Sequence, residues 1–98
     1  MSFRTRFQRR ATLELSEAAA WYEEKSKGLG HEFVRAVDAA IASITRNPFA
    51  YPTMRYHVRR MLLRRFPYSI MYRVSADEIV IVSIWHGRRN PRRWQTQV

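Results

Sequence analysis

The chain has 98 residues, 46% of them hydrophobic, and a formal net charge of +10 at pH 7. That length suits one domain over 1–98 with a single core. The absence of cysteine excludes a disulfide framework and a thiolate metal site, and His31, His57 and His86 are too scattered to suggest a metal centre, so neither metal nor cofactor is expected. No apolar run reaches membrane-spanning length and the basic N-terminus lacks the apolar region of a signal peptide, so the expected location is the cytoplasm.

Phe3-Arg4-Thr5-Arg6-Phe7 alternates with period two and predicts an edge strand. Ala11 to Lys27 predicts a helix with Leu15, Ala18, Ala19 and Tyr22 on its apolar stripe, ended by Gly28. A second helix is expected over Leu29 to Arg46, burying Phe33, Val37, Ile41 and Ile44. Asn47-Pro48 stops it, because proline lacks the N–H the ladder needs and restricts the residue before it. After Pro52 the period falls to two. Val58 to Phe66, Tyr68 to Val74 and Glu78 to Trp85 read as three strands with short connections, which favour an antiparallel meander. The last is apolar on both faces and should be central. The expected fold is α+β: an N-terminal strand, then a helical hairpin packed on one face of a twisted antiparallel sheet.

The charge is unevenly placed. From Tyr51 onward only Asp77 and Glu78 are acidic, against ten arginines from Arg55 to Arg93. A one-sided basic surface attracts polyanions or acidic partners through its summed potential. Arginine bias in the genome would raise the count, but not remove the acids. The densest cluster follows the last strand, Trp85-His86-Gly87-Arg88-Arg89-Asn90-Pro91-Arg92-Arg93-Trp94, where a strand end would present it to solvent.

Several landmarks together resemble the RelE/ParE toxin superfamily. They are Trp21-Tyr22-Glu23, Gly28-Leu29-Gly30 with Phe33, Asn47-Pro48, Tyr51-Pro52, the run Arg59 to Tyr68 with Ile70, Tyr72 and Arg73, and the ending His86 to Trp94. The resemblance covers nearly the whole chain. It implies the toxin half of a bacterial type II toxin–antitoxin pair, held inactive by a cognate antitoxin. RelE-like members cleave messenger RNA on the ribosome; ParE-like members bind DNA gyrase without chemistry of their own.

Cleavage beside a 2′-hydroxyl needs a base, a donor to the leaving oxygen and cations on the phosphorane. Against the RelE-like pattern, Arg88 matches the arginine after the last strand, and Arg60 and Arg64 fall where basic sheet residues occur. Ser69 stands where another arginine would lie. Trp94 replaces the terminal tyrosine, and an indole cannot exchange a proton near neutral pH. A nuclease would need a rebuilt site of His86, Arg88 and Arg60, with His86 as base; a strand-closing histidine is the simpler reading. Gyrase binding asks only for a basic, aromatic surface, which Arg88, Arg89, Arg92, Arg93 and Trp94 would supply.

The groove between hairpin and sheet is the expected dock for an acidic antitoxin segment, with Tyr22, Phe33 and Met61 as apolar linings and Arg60 and Arg64 as charge partners. Each of the three apolar residues also reads as plain core. The expectation is therefore a ParE-like, gyrase-binding toxin. The alternatives are a ribosome-dependent mRNA endoribonuclease and a non-toxic basic module that binds nucleic acid.

Overall fold

The computed structural model describes residues 3–87. Strand β1 (Arg4–Phe7) runs straight into helix α1 (Arg9–Lys25), followed by α2 (Leu29–Arg46) and strands β2 (Arg59–Leu62), β3 (Tyr68–Ser75) and β4 (Glu78–His86). The sheet order is β1-β4-β3-β2, so the most apolar strand is central and β1 is an edge, as the sequence predicts.

One feature of the sheet departs from expectation. β2, β3 and β4 form the antiparallel meander, but β1 pairs with β4 in parallel, Arg4 opposite Glu78 through Phe7 opposite Ile81. The sheet is therefore mixed. The cause is topological: the helical hairpin returns the chain to the starting end, and the even-stepped meander then brings β4 beside β1 in the same direction. Strand β2 stops at Leu62, not Phe66, because the chain turns through Leu63 to Pro67 and Phe66 itself drops into the core.

The helices lie on one side of the sheet. Helix α2 has the expected bounds and buries Gly30, Phe33, Val37, Ala40 and Ile44, with Ile41 only partly covered. Helix α1 buries Ala11, Glu14, Ala18 and Tyr22. Gly28 has φ 87°, the left-handed turn between the two helices. Gly30 marks their closest approach, since a Cβ there would lie 2.5 Å from the Ala19 carbonyl oxygen. Tyr22, Phe33, Phe66 and Tyr68 then interlock, with ring centroids 4.9–6.2 Å apart, a geometry that adds quadrupole attraction to area burial.

A bulge in β4 decides which way its end faces. Met71 pairs with Ser83 but Tyr72 pairs with Ile81, leaving Val82 as an extra residue. The insertion shifts the alternation by one. Ile79, Ile81 and Ile84 therefore join the helix-side core, while Val82 and Trp85 join Val58 and Met71 in a second small cluster on the other side.

Candidate functional site

Two grooves flank the helical layer. The first lies where α1 crosses the ends of β3 and β4, lined by Glu14, Glu17, Trp21, Tyr22, Tyr68 and His86. His86 packs edge-on against Tyr68 at 5.0 Å and faces the helices, as the bulge dictates. Glu14 is buried at the back of this groove. Its Oε1 accepts hydrogen bonds from Ser83 Oγ at 2.8 Å and Ile84 N–H at 3.1 Å. β1 pairs with β4 only as far as Ile81, so the helix carboxylate replaces the missing strand partner.

The second groove runs between α2 and the edge strand β2. Ala36, Ala39 and Ala40 form one wall, Met61 and Leu63 the other, and Arg64 and Arg65 stand at its end. Arg65 reaches across to Glu32 at 2.9 Å. β2 is the last strand of the sheet, and only its start is covered, by the bridge of Thr53 to Arg59 with Arg60 N–H donating to the Pro52 carbonyl. Leu62, next along the edge, is 61% exposed.

The structure distributes the sequence-predicted residues unevenly. Met61 and Arg64 line the second groove. Phe33 is wholly buried and offers no surface, and Tyr22 is a core residue with one side toward the first groove. Arg60 pairs with Met71 and so stands on the sheet side away from the helices, whereas His86 stands on the helix side. Arg88, Arg89, Arg92, Arg93 and Trp94 lie outside the described residues.

Two tyrosines, Tyr22 and Tyr72, are held protonated by their surroundings. Burial raises the hydroxyl pKa of Tyr22, and pushes that of Tyr72 up to about 12; Tyr72 Oη donates to the Pro48 carbonyl at 2.6 Å. Among the described residues no His, Asp and Glu cluster could hold a metal ion, and no helix is long and apolar enough to cross a membrane.

Sequence reasoning missed Glu14, Arg59 and Arg65. Glu14 carried a signal: it sits at core spacing between Ala11 and Ala18, and a charged residue on a buried stripe has a partner. Arg59 looked like part of a basic surface, but its Nη1 donates to the carbonyls of Phe49 and Tyr51. It fastens the loop after α2.

This two-layer arrangement, a helical hairpin on a four-stranded sheet, is shared by solved bacterial structures. A free mutant RelE from E. coli superposes with TM-score 0.69 at 14% identity, covering 99% of this chain and 94% of that one. A chain of the chromosomal ParDE system from P. aeruginosa gives 0.65 at 21% identity, covering 86% and 95%. A chain of the RelBE2 complex from Mycobacterium tuberculosis gives 0.62 at 18%, covering 88% and 99%. Those likenesses establish the fold. The toxin ParE2 of M. tuberculosis H37Rv is 28% identical over 86 residues, 87% of this chain and 82% of its own. The sequence model described as the ParE toxin of the type II toxin-antitoxin system parDE matches residues 5–91, and the chain belongs to that family of toxins.

Proposed function

We propose that this toxin arrests growth by binding DNA gyrase in the cytoplasm, not by cutting RNA. The observation that carries the reading is the separation of His86 from Arg60 by the sheet. A base and a phosphate-binding cation must converge on one phosphorus, and these two side chains leave the sheet on opposite sides. The basic ending, Arg88, Arg89, Arg92, Arg93 and Trp94, is the proposed target contact, continuing from the end of β4.

The antitoxin dock follows from the second groove. An acidic, apolar segment laid along α2 and β2 would insert side chains against Met61 and Leu63 and set a carboxylate on Arg64, while its backbone pairs with the open edge beyond Arg60. The ParDE and RelBE2 structures are of toxin–antitoxin systems, which supports an antitoxin partner here.

Controlled expression with and without the antitoxin tests both parts. Gyrase-trapped DNA breaks should accumulate when the antitoxin is withheld. Codon-phased mRNA cuts by the purified toxin on ribosomes, abolished by His86→Ala, would reverse the choice of target.

A further inference from the structure

The groove between α2 and β2 is strapped at one end by a pair of opposite charges. Helix α2 faces the groove with Ala36, Ala39, Ala40 and Ser43. Glu32 lies four residues before Ala36, so it stands on the same face one turn earlier. Its Oε1 meets Arg65 Nη2 at 2.9 Å. The Arg65 guanidinium also lies over the ring of buried Phe66, 5.1 Å from its centroid. Arg64, beside it, has no ion-pair partner among the described residues.

The pair contributes little to the fold. Both side chains are about half exposed, 61% for Arg65 and 49% for Glu32, and exposed ion pairs add little to stability. Phe33 and Phe66 already hold α2 to the sheet at this end, with ring centroids 5.1 Å apart. Among the described residues that line the groove none is acidic, and the sequence has no carboxylate between Asp38 and Asp77. One acid therefore stands at the end of a groove whose other charges are cations.

We infer that Glu32 limits the grip of the antitoxin: it keeps Arg65 on the helix, so that an acidic segment in the groove meets one free guanidinium, Arg64, instead of two. The inference rests on the antitoxin dock proposed above. Its physical basis is competition. Arg65 has a planar fork that takes one carboxylate by two parallel hydrogen bonds. Glu32 is tethered beside that fork, at high effective concentration. A carboxylate of the segment would have to displace it, and exchanging one exposed carboxylate for another gains almost nothing. A complex tempered in this way releases its toxin sooner, because affinity differences between related complexes lie mainly in dissociation.

The test is surface plasmon resonance, with purified toxin variants passed over immobilised full-length cognate antitoxin. Glu32→Gln should tighten binding about threefold, the order of one exposed ion pair, mostly through slower dissociation. Its thermal midpoint should stay within about 3 °C of the parent. Asp38→Asn makes the same change of net charge on α2 away from the groove lining, and should shift affinity by less than about 1.5-fold. Glu32→Gln combined with Arg65→Gln should bind like the parent, since the gain requires the freed guanidinium. Unchanged or weaker binding by Glu32→Gln, an equal gain in Asp38→Asn, or a gain that survives the loss of Arg65 would overturn the inference. Ala39→Trp tests the dock itself, because bulk on the groove wall should weaken binding about tenfold. If Ala39→Trp binds like the parent, the groove reading fails and the role of Glu32 with it. If Ala39→Trp weakens binding and Glu32→Gln does not tighten it, only the role of Glu32 falls.

Discussion

The two sides of the sheet use polar groups in opposite ways. On the helix side, buried polar groups are matched internally at two places: Glu14 accepts from Ser83 and Ile84, and Tyr72 donates to Pro48. On the outward side and just past β2, the side chains of Arg55, Arg60 and Arg64 have no hydrogen-bond or ion-pair partner among the described residues. Even arginines differ by position, since Arg4 and Arg6 on β1 lie against Asp77 and Glu78 at 3.6 and 3.3 Å. The lesson is that the count of charges locates nothing; pairing does. A guanidinium already satisfied is part of the scaffold, and one left over is available to a partner.

The sharpest way to break this contrast is to damage each side and compare. Phe33→Ala, in the middle of the aromatic cluster, should cost about 3–5 kcal/mol in denaturant unfolding, enough to leave little folded protein. Glu14→Ala should cost about 2–3 kcal/mol, because two buried donors lose their acceptor. By contrast, Arg64→Ala should alter stability by no more than about 0.5 kcal/mol, yet weaken antitoxin binding by about tenfold in calorimetry. If Arg64 proves as costly to folding as Glu14, the division between scaffold and contact is false.

A smaller effect probes the turn between helices. Glu23 accepts hydrogen bonds from Gly28 and Gly30 N–H at 2.9 and 3.0 Å, and these bonds, with the charge of His31 adding, hold its carboxyl below the ordinary 4.5. A folded-state pKa below the unfolded one means stability present above the unfolded value and lost as pH falls through the folded one. Glu23→Gln should therefore lower the thermal midpoint at neutral pH and flatten its decline below about pH 4.5. A pH profile identical to that of the parent would show that the carboxylate contributes nothing to the helix start.

Much of this was legible in the residues. Gly28 and Asn47-Pro48 are local punctuation, and local chemistry placed both ends of α2. The unbroken apolar run of β4 revealed a central strand. What stayed hidden was non-local. Parallel pairing of β1 depends on how many times the chain reverses, which no window of sequence records. The extra residue at Val82 reverses the facing of Trp85 and His86, and Val-Ser within an apolar strand gives no sign of it. For the site, the sequence left Met61 open between a groove wall and plain core, and the fold sets it with Arg64 along the groove between α2 and β2. Phe33 could not be separated from a groove lining, since an aromatic at helical spacing has the same pattern in either role.

The position of β4 carries a consequence for how the toxin comes into being. It is the last of the described elements to be synthesised, yet both neighbouring strands and α1 rest on it. Until it emerges, β1 has no partner and the helices have only half a floor. At about 5–20 residues per second, the interval between the first helix and this strand lasts several seconds. During that time the apolar faces that β4 covers in the finished fold have no strand to rest on. A cell that makes the antitoxin from the same message would have that interval to meet the toxin before it is whole.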